Sequence, residues 1–266
     1  MTISEVIHHL ENKFPLAWQE DFDNCGVQCG DRRQEIKGAL VCFDVTENVV
    51  DEAIAKNKNF IVSHHPLIFG NGLKKIEPTS VVGRIICKAL KNDLLIYSMH
   101  TNVDAGEGGG NDLFAQKLQL ENVELLTENE CHTEEPHKKV GLGRIGYLPE
   151  AMLPEIFYQY LKKQLNLTTF RVAGNIDRPI KKVALCGGSG GSFIKNALAA
   201  GADIYISGDI RYHDFLMPDN QMIVADIGHF ESEHFIREII FAELKENFTN
   251  FAPAFSEAEN ARIIFV

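Results

Sequence analysis

NFIVSHHPLIF, residues 59–69, is the stretch on which the fold turns. Phe60, Ile61 and Val62 form a short apolar run with two β-branched members, which predicts a buried strand. Ser63, His64 and His65 follow at once, and Pro66 ends the ladder because it has no N–H to donate. Neutral imidazole is the commonest protein metal ligand. In a regular strand the two rings would point to opposite faces. Where the chain turns into a proline they can converge on one site. The alternative is one buried, hydrogen-bonded histidine beside one surface histidine.

Upstream, GALVCFDV (38–45) reads as a second strand and TENVVDEAIAKN (46–57) as a helix. Thr46 is its N-cap, and Val49, Val50, Ala53 and Ile54 share one face. Strand, helix, strand predicts a parallel pair with a right-handed crossover. In open α/β sheets the ligand crevice lies at the carboxyl ends of the strands, which is where His64 and His65 sit. Downstream, Leu94–Ser98 reads as a buried strand with His100 and Asp104 just past its end. The Gly106, Gly108, Gly109, Gly110 run has neither the P-loop nor the dinucleotide order, so it reads as a turn holding Asp104. MIVADIGH (222–229) is a further buried strand, and FESEHFIREIIFAELKENF after it reads as one helix. His229 and Glu233, four residues apart, share a helix face. His100 and Asp104 make the same step.

Residues 3–14 read as a helix. WQEDFDNCGVQCGD reads as a loop whose carboxylates cap, bind a cation or are solvated; position alone does not choose. The polar run 127–140, with His132, Glu134, Glu135 and His137, reads as a solvated linker ahead of a surface metal patch. Strand, helix and strand follow in GLGRIGYLP, EAMLPEIFYQYLKKQLN and TTFRVAG. Residues 39–63 then lay on 183–207 without a gap, at an offset of 144, with Cys42 on Cys186 and Ser63 on Ser207. This predicts an internal duplication. In the second copy Gly208 and Asp209 replace His64 and His65, and His213 lies a little further on. GGSGGS sits at a strand-to-helix junction, where backbone N–H groups favour an anion. ARIIFV, 261–266, reads as a terminal strand.

The chain has 266 residues, 45% hydrophobic and 24% charged, an ordinary globular composition. Its net charge of −11 argues against a phosphate-binding surface for nucleic acid. Six cysteines without a C-x-x-C pair suggest reduced thiols and a cytoplasmic setting. The N-terminus has no signal-peptide pattern, and no apolar run approaches bilayer length.

Strand ends therefore carry His64, His65, Asp104, His229 and Glu233, three nitrogens and two carboxylates. Such a set suits two divalent ions ~3.5–4 Å apart. Nitrogen and oxygen donors suit Zn, Fe, Mn, Co or Ni without choosing among them. The competing reading is scattered hydrogen-bonding groups at strand ends.

SHHPLIF, HTNVDAGEGGGND, GGSGGS, SGDIRYH, IGHFESE and DNCGVQCGD together resemble, nearly end to end, the GTP cyclohydrolase 1 type 2 homologues. These are also called NGG-interacting-factor-three-like or dinuclear-metal-centre proteins. The resemblance implies that His64, His65, Asp104, His229 and Glu233 are the ligands of two divalent ions per subunit, with Glu233 bridging. It makes His100 and His213 nearby second-shell or substrate groups, and these two are the catalytic candidates. It also implies a toroidal homohexamer of two-lobed α/β subunits. The expected fold is two related α/β lobes with mixed, largely parallel sheets flanked by helices, the metal site at strand C-terminal ends between lobes. The expected division is 1–126 plus 229–266 as the metal-ligand lobe and 127–228 as the second, with no large inserted domain. The expected function is a metal-dependent hydrolase acting on a nucleotide or related small molecule. The alternatives are a metal-binding or metal-delivery protein, or a scaffold, without turnover.

Overall fold

The computed structural model describes residues 1–70, 72–128, 139–259 and 263. In chain order the elements are α1 (Ile3–Lys13), β1 (Gly26–Cys29), β2 (Ala39–Cys42), α2 (Glu47–Ala55), β3 (Phe60–Ser63), α3 (Val81–Lys91), β4 (Leu95–Ser98) and α4 (Thr101–Ala105). There follow α5 (Gly110–Lys117), β5 (Glu121–Leu125), β6 (Arg144–Met152), α6 (Pro154–Leu165), β7 (Arg171–Ala173), β8 (Ile180–Ser189) and α7 (Ile194–Ala199). The chain closes with β9 (Ile204–Gly208), α8 (Tyr212–Phe215), β10 (Ile223–Asp226), α9 (His229–Glu233), α10 (Ile236–Asn247) and β11 (Pro253–Phe255).

Two compact units emerge, Met1–Val103 with Ile236–Arg262, and Asp104–Phe235 with Ile263–Val266. The sequence groups 104–126 and 229–235 with the first lobe. Packing groups them with the second unit, because α5 and α9 lie on β8 and α9 also meets β9.

The first unit holds a sheet of order β1-β4-β3-β2-β11. Its four strands from β4 to β11 pair in parallel, and β1 runs antiparallel on β4. Every residue of β2, β3 and β4 is buried, as expected for parallel strands covered on both faces. Leu40, Ile61 and Ile96 of the sheet pack with Val49, Val50 and Ala53 of α2 and Ile85 and Ala89 of α3. Thr46 caps α2 by accepting from the Val49 N–H at 3.2 Å. Thr2 and Glu5 close a capping box at the start of α1.

The second unit holds a mixed sheet of order β5-β6-β8-β9-β10-β7. β8, β9 and β10 are parallel neighbours, while β5, β6 and β7 join antiparallel. The predicted duplication is visible in register. Ala39, Leu40 and Val41 pair with Phe60, Ile61 and Val62, and Val183, Ala184 and Leu185 pair with Ile204, Tyr205 and Ile206. Both sets are related by the offset of 144. Each sheet then adds a third parallel strand, β4 or β10, followed by a five-residue helix, α4 or α9.

Two expectations change. WQEDFDNCGVQCGD contains a strand, β1, whose partner β4 lies some seventy residues on in the chain. The long helix after His229 is two helices, α9 and α10, with His234 and Phe235 between them; Phe235 is buried against Phe114 at 5.6 Å. Residues 129–138 of the linker, with His132 and His137, and the terminal strand except Ile263, lie outside the described residues.

Candidate metal centre

In the first unit, the β3 ladder runs on past the strand. His64 and His65 donate their N–H groups to the carbonyls of Cys42 (3.1 Å) and Phe43 (3.0 Å) before Pro66 stops it. The hydroxyls of Ser63 and Ser98 both reach the His65 carbonyl, at 2.8 and 3.2 Å. This fixes the turn and brings both rings to one side, 4.9 Å apart, with His100 5.1 and 5.3 Å from them. Among the described residues, one potential ligand atom of each of these three histidines lies within 4.8 Å of the others.

The tautomers follow from the partners of Nδ1. That atom of His64, which is fully buried, lies 2.9 Å from the carbonyl of Met99. A carbonyl only accepts, so Nδ1 carries the proton and Nε2 the lone pair. Nδ1 of His65 meets Asp44 at 2.9 Å, and Nδ1 of His100 meets Asp23 at 2.7 Å. Carboxylate or carbonyl acceptors behind imidazoles are the usual support of metal-binding histidines, because they set the tautomer and raise basicity. Burial works against ionisation of Asp23. The hydrogen bond and charge of His100, with the Thr101 hydroxyl and the Asn24 amide, outweigh it and hold the carboxyl far below its usual range.

The open question about DNCGVQCGD is settled by these contacts. Asp23, its side chain 0% exposed, fixes His100 and accepts from the Thr101 N–H at 3.0 Å. Asn24 donates to the Ile68 carbonyl at 2.7 Å, and Gln28 accepts from the Ile68 N–H at 3.0 Å. The motif ties down both histidine-bearing segments.

In the second unit, Asp209 accepts from Nδ1 of His229 at 2.8 Å, and Nε2 of His229 lies 3.1 Å from Glu233. Two donors each ~2.1 Å from one ion and roughly at right angles are ~3 Å apart, so this pair fits a shared cation. Glu233 is 4% and Asp104 5% exposed. Burial and the charges of Asp104 and Glu233 push the Cys186 thiol far up. Asn111 donates to the Asp104 carbonyl at 3.1 Å. The buried Arg144 guanidinium, paired with Asp112, holds the carbonyls of Gly141, Gly143 and Gly106 at 2.9, 2.9 and 3.1 Å. The loop after Asp104 is thereby bolted in place.

GGSGGS serves this site differently from the expected anion cradle. The N–H groups of Gly187, Gly188 and Gly190 already donate to Asn111, Ser232 and Ser207 at 2.9, 2.9 and 3.0 Å. The glycines instead make room. A Cβ on Gly187 would come within 2.8 Å of Glu233 Cγ, and one on Gly188 would collide with the Glu233 carboxylate.

The Duf34/NIF3 (NGG1p interacting factor 3) family profile matches residues 1–261. The chain belongs to the Duf34/NIF3 family. A GTP cyclohydrolase 1 type 2 homolog of Streptococcus pneumoniae is 34% identical over 257 residues, spanning 93% of this chain and 92% of its own length. The protein of that name from Clostridium acetobutylicum is 32% identical over 235 residues, spanning 88% and 85%. A Bacillus cereus protein related to NIF3 has the same fold, with a TM-score of 0.89, 27% identity and coverage of 100% and 99% of the two chains. Reduced HcgD from Methanocaldococcus jannaschii follows at 0.81 and 28%, covering 97% and 98%.

In this Duf34/NIF3 chain, the first unit thus gathers His64, His65 and His100, and the second holds Asp104, His229 and Glu233. His213 is exposed on α8 against the Tyr212 ring and belongs to no potential ligand group among the described residues. Sequence reasoning missed Asp44 and did not assign Asp209 its role. Asp44 stands two residues past the end of β2. Asp209 stands at the duplicate position of His65, which was the available signal. No helix among the described residues is long and apolar enough to cross a membrane, and the described cysteines are free thiols.

Proposed function

We propose that this chain is a dinuclear metal-dependent hydrolase acting on a nucleotide or related small molecule. His64, His65, Asp104, His229 and Glu233 are its ligands, with Glu233 shared by both ions. The observation that supports this most is common to four imidazoles. Nδ1 of His64, His65, His100 and His229 each meets a carbonyl or carboxylate oxygen at 2.7–2.9 Å, which directs Nε2 outward as the donor. Bound ions of this kind acidify water toward neutral pH and polarise a carbonyl or phosphoryl oxygen. His100 and His213 are the candidate proton carriers. His100 is held by Asp23 beside two ligands, so its Nε2 is positioned to take or return a proton. The name carried by the curated relatives puts GTP among the first substrates to try. The toroidal homohexamer and a cytoplasmic setting belong to the same reading, and sedimentation analysis reads the assembly directly.

The test is elemental analysis of natively purified protein, followed by a screen of GTP, other nucleotides and phosphoesters with and without chelator. Metal-dependent turnover that Glu233→Gln abolishes while the fold stays intact supports the proposal. Bound metal without turnover of any of them supports a metal-binding or delivery role. Protein that takes up no divalent metal overturns both.

A further inference from the structure

The segment after β11 returns to the end of β2, the strand beside the one whose end bears His64 and His65. Glu259, its side chain 4% exposed, accepts through one oxygen from the N–H groups of Phe43 (2.6 Å) and Asp44 (2.5 Å). Its other oxygen accepts from Nη1 of Arg237 at 2.6 Å. Phe43 and Asp44 are the residues against which the imidazoles rest. The Phe43 carbonyl accepts from the His65 N–H at 3.0 Å. The Phe43 ring stacks on His64 at 5.4 Å and 21°, and lies 4.3 Å from His65. Asp44 holds Nδ1 of His65. The residues just before Glu259 are themselves anchored. Glu52 accepts from the Ser256 hydroxyl at 2.6 Å and from the N–H groups of Glu257 and Ala258 at 3.0 and 3.1 Å.

We propose that Glu259 is a positioning residue of the metal centre: through the Phe43–Asp44 turn it sets where Nε2 of His64 and His65 lie. The inference rests on those two histidines being ligands. Two successive amides converging on one carboxylate oxygen define the turn, and the turn supplies both the stacking face and the acceptor behind the rings. The position needs a carboxylate. An amide offers one oxygen and one N–H₂ group, so at Glu259→Gln a donor must face either the turn amides or the Arg237 guanidinium.

The experiment is Co(II) titration of the full chain, read by its visible absorption, in wild type, Glu259→Gln and Glu259→Ala. Ring ¹⁵N shifts of metal-free protein and circular dichroism accompany it. Folded Glu259 variants should bind Co(II) about 10–100-fold more weakly, the range typical of lost support behind a ligand. Their absorption band and the His65 ring shifts should also change. A merely stabilising contact would lower the melting temperature and leave the band and the ring shifts alone. A folded Glu259→Gln with wild-type affinity, band and ring shifts overturns the inference, as does unfolding of both variants. If wild type takes up no Co(II), the metal reading fails separately, and the ring shifts of metal-free Glu259→Gln still decide whether the turn depends on this carboxylate.

Discussion

Alanine at position 188 is expected to loosen metal binding while leaving the chain folded. Gly188 has φ +62°, in the left-handed region, and its missing Cβ is the space that the Glu233 carboxylate fills. Two costs follow. An L-residue held in that region loses about 1–2 kcal/mol, which for a chain of this size lowers the melting temperature by about 2–8 °C. The carboxylate must also retreat by about 1 Å to reach ordinary contact, half the length of a ~2 Å metal–oxygen bond. Loss of one correctly placed donor should weaken divalent metal binding at least 10-fold. Gly201→Ala separates the two costs. Its φ is +71° and an added Cβ meets nothing within 4 Å, so it shares the backbone penalty alone. Calorimetric titration with Zn²⁺ or Co²⁺, beside thermal melts, reads both effects. Both variants should melt lower, and Gly188→Ala alone should lose metal affinity. A Gly188→Ala protein that binds as tightly as Gly201→Ala would refute the reasoning.

Two other substitutions probe the supports. Asp23→Asn keeps the shape but removes the charge behind His100, the candidate proton carrier, so metal-dependent turnover should fall at least about 100-fold with metal affinity and secondary structure intact; steady-state kinetics beside competition against a chelating dye measures both. Glu52 has its carboxyl lowered to about 2: burial opposes ionisation, but Lys56, Ser256 and the amides of Glu257 and Ala258 outweigh it. A depressed carboxyl stabilises the fold above its unfolded value near 4.5 and loses that contribution as pH falls toward 2. Wild type should therefore lose roughly 1–2 kcal/mol more than Glu52→Gln between pH 5 and pH 2.5. Urea melts at the two pH values check this, and parallel losses would contradict it.

The sequence was most readable where burial is complete. β2, β3, β4, β9 and β10 are covered on both faces and appear as unbroken apolar runs. Their ends therefore locate His64, His65 and His229 without further information. Edge strands lack that signature. β5 is almost wholly exposed and reads Glu-Asn-Val-Glu-Leu, and β1 is recognisable only through a distant partner. The acids behind the imidazoles are the least readable. Asp23, Asp44, Asp209 and Glu259 lie outside regular elements, where an aspartate or glutamate looks the same in sequence whether it faces water or an imidazole. Only the folded chain distinguishes them. The glycines of GGSGGS show the same limit, because a phosphate cradle and a space for a carboxylate require the same residue type.

Anomalous diffraction from crystals grown with Mn²⁺ or Zn²⁺ tests the central claim most directly. Two peaks ~3.5–4 Å apart are expected, bonded to Nε2 of His64, His65 and His229 and to the carboxylates of Asp104 and Glu233. Peaks confined to surface acids, or none at those imidazoles at millimolar metal, would contradict the account.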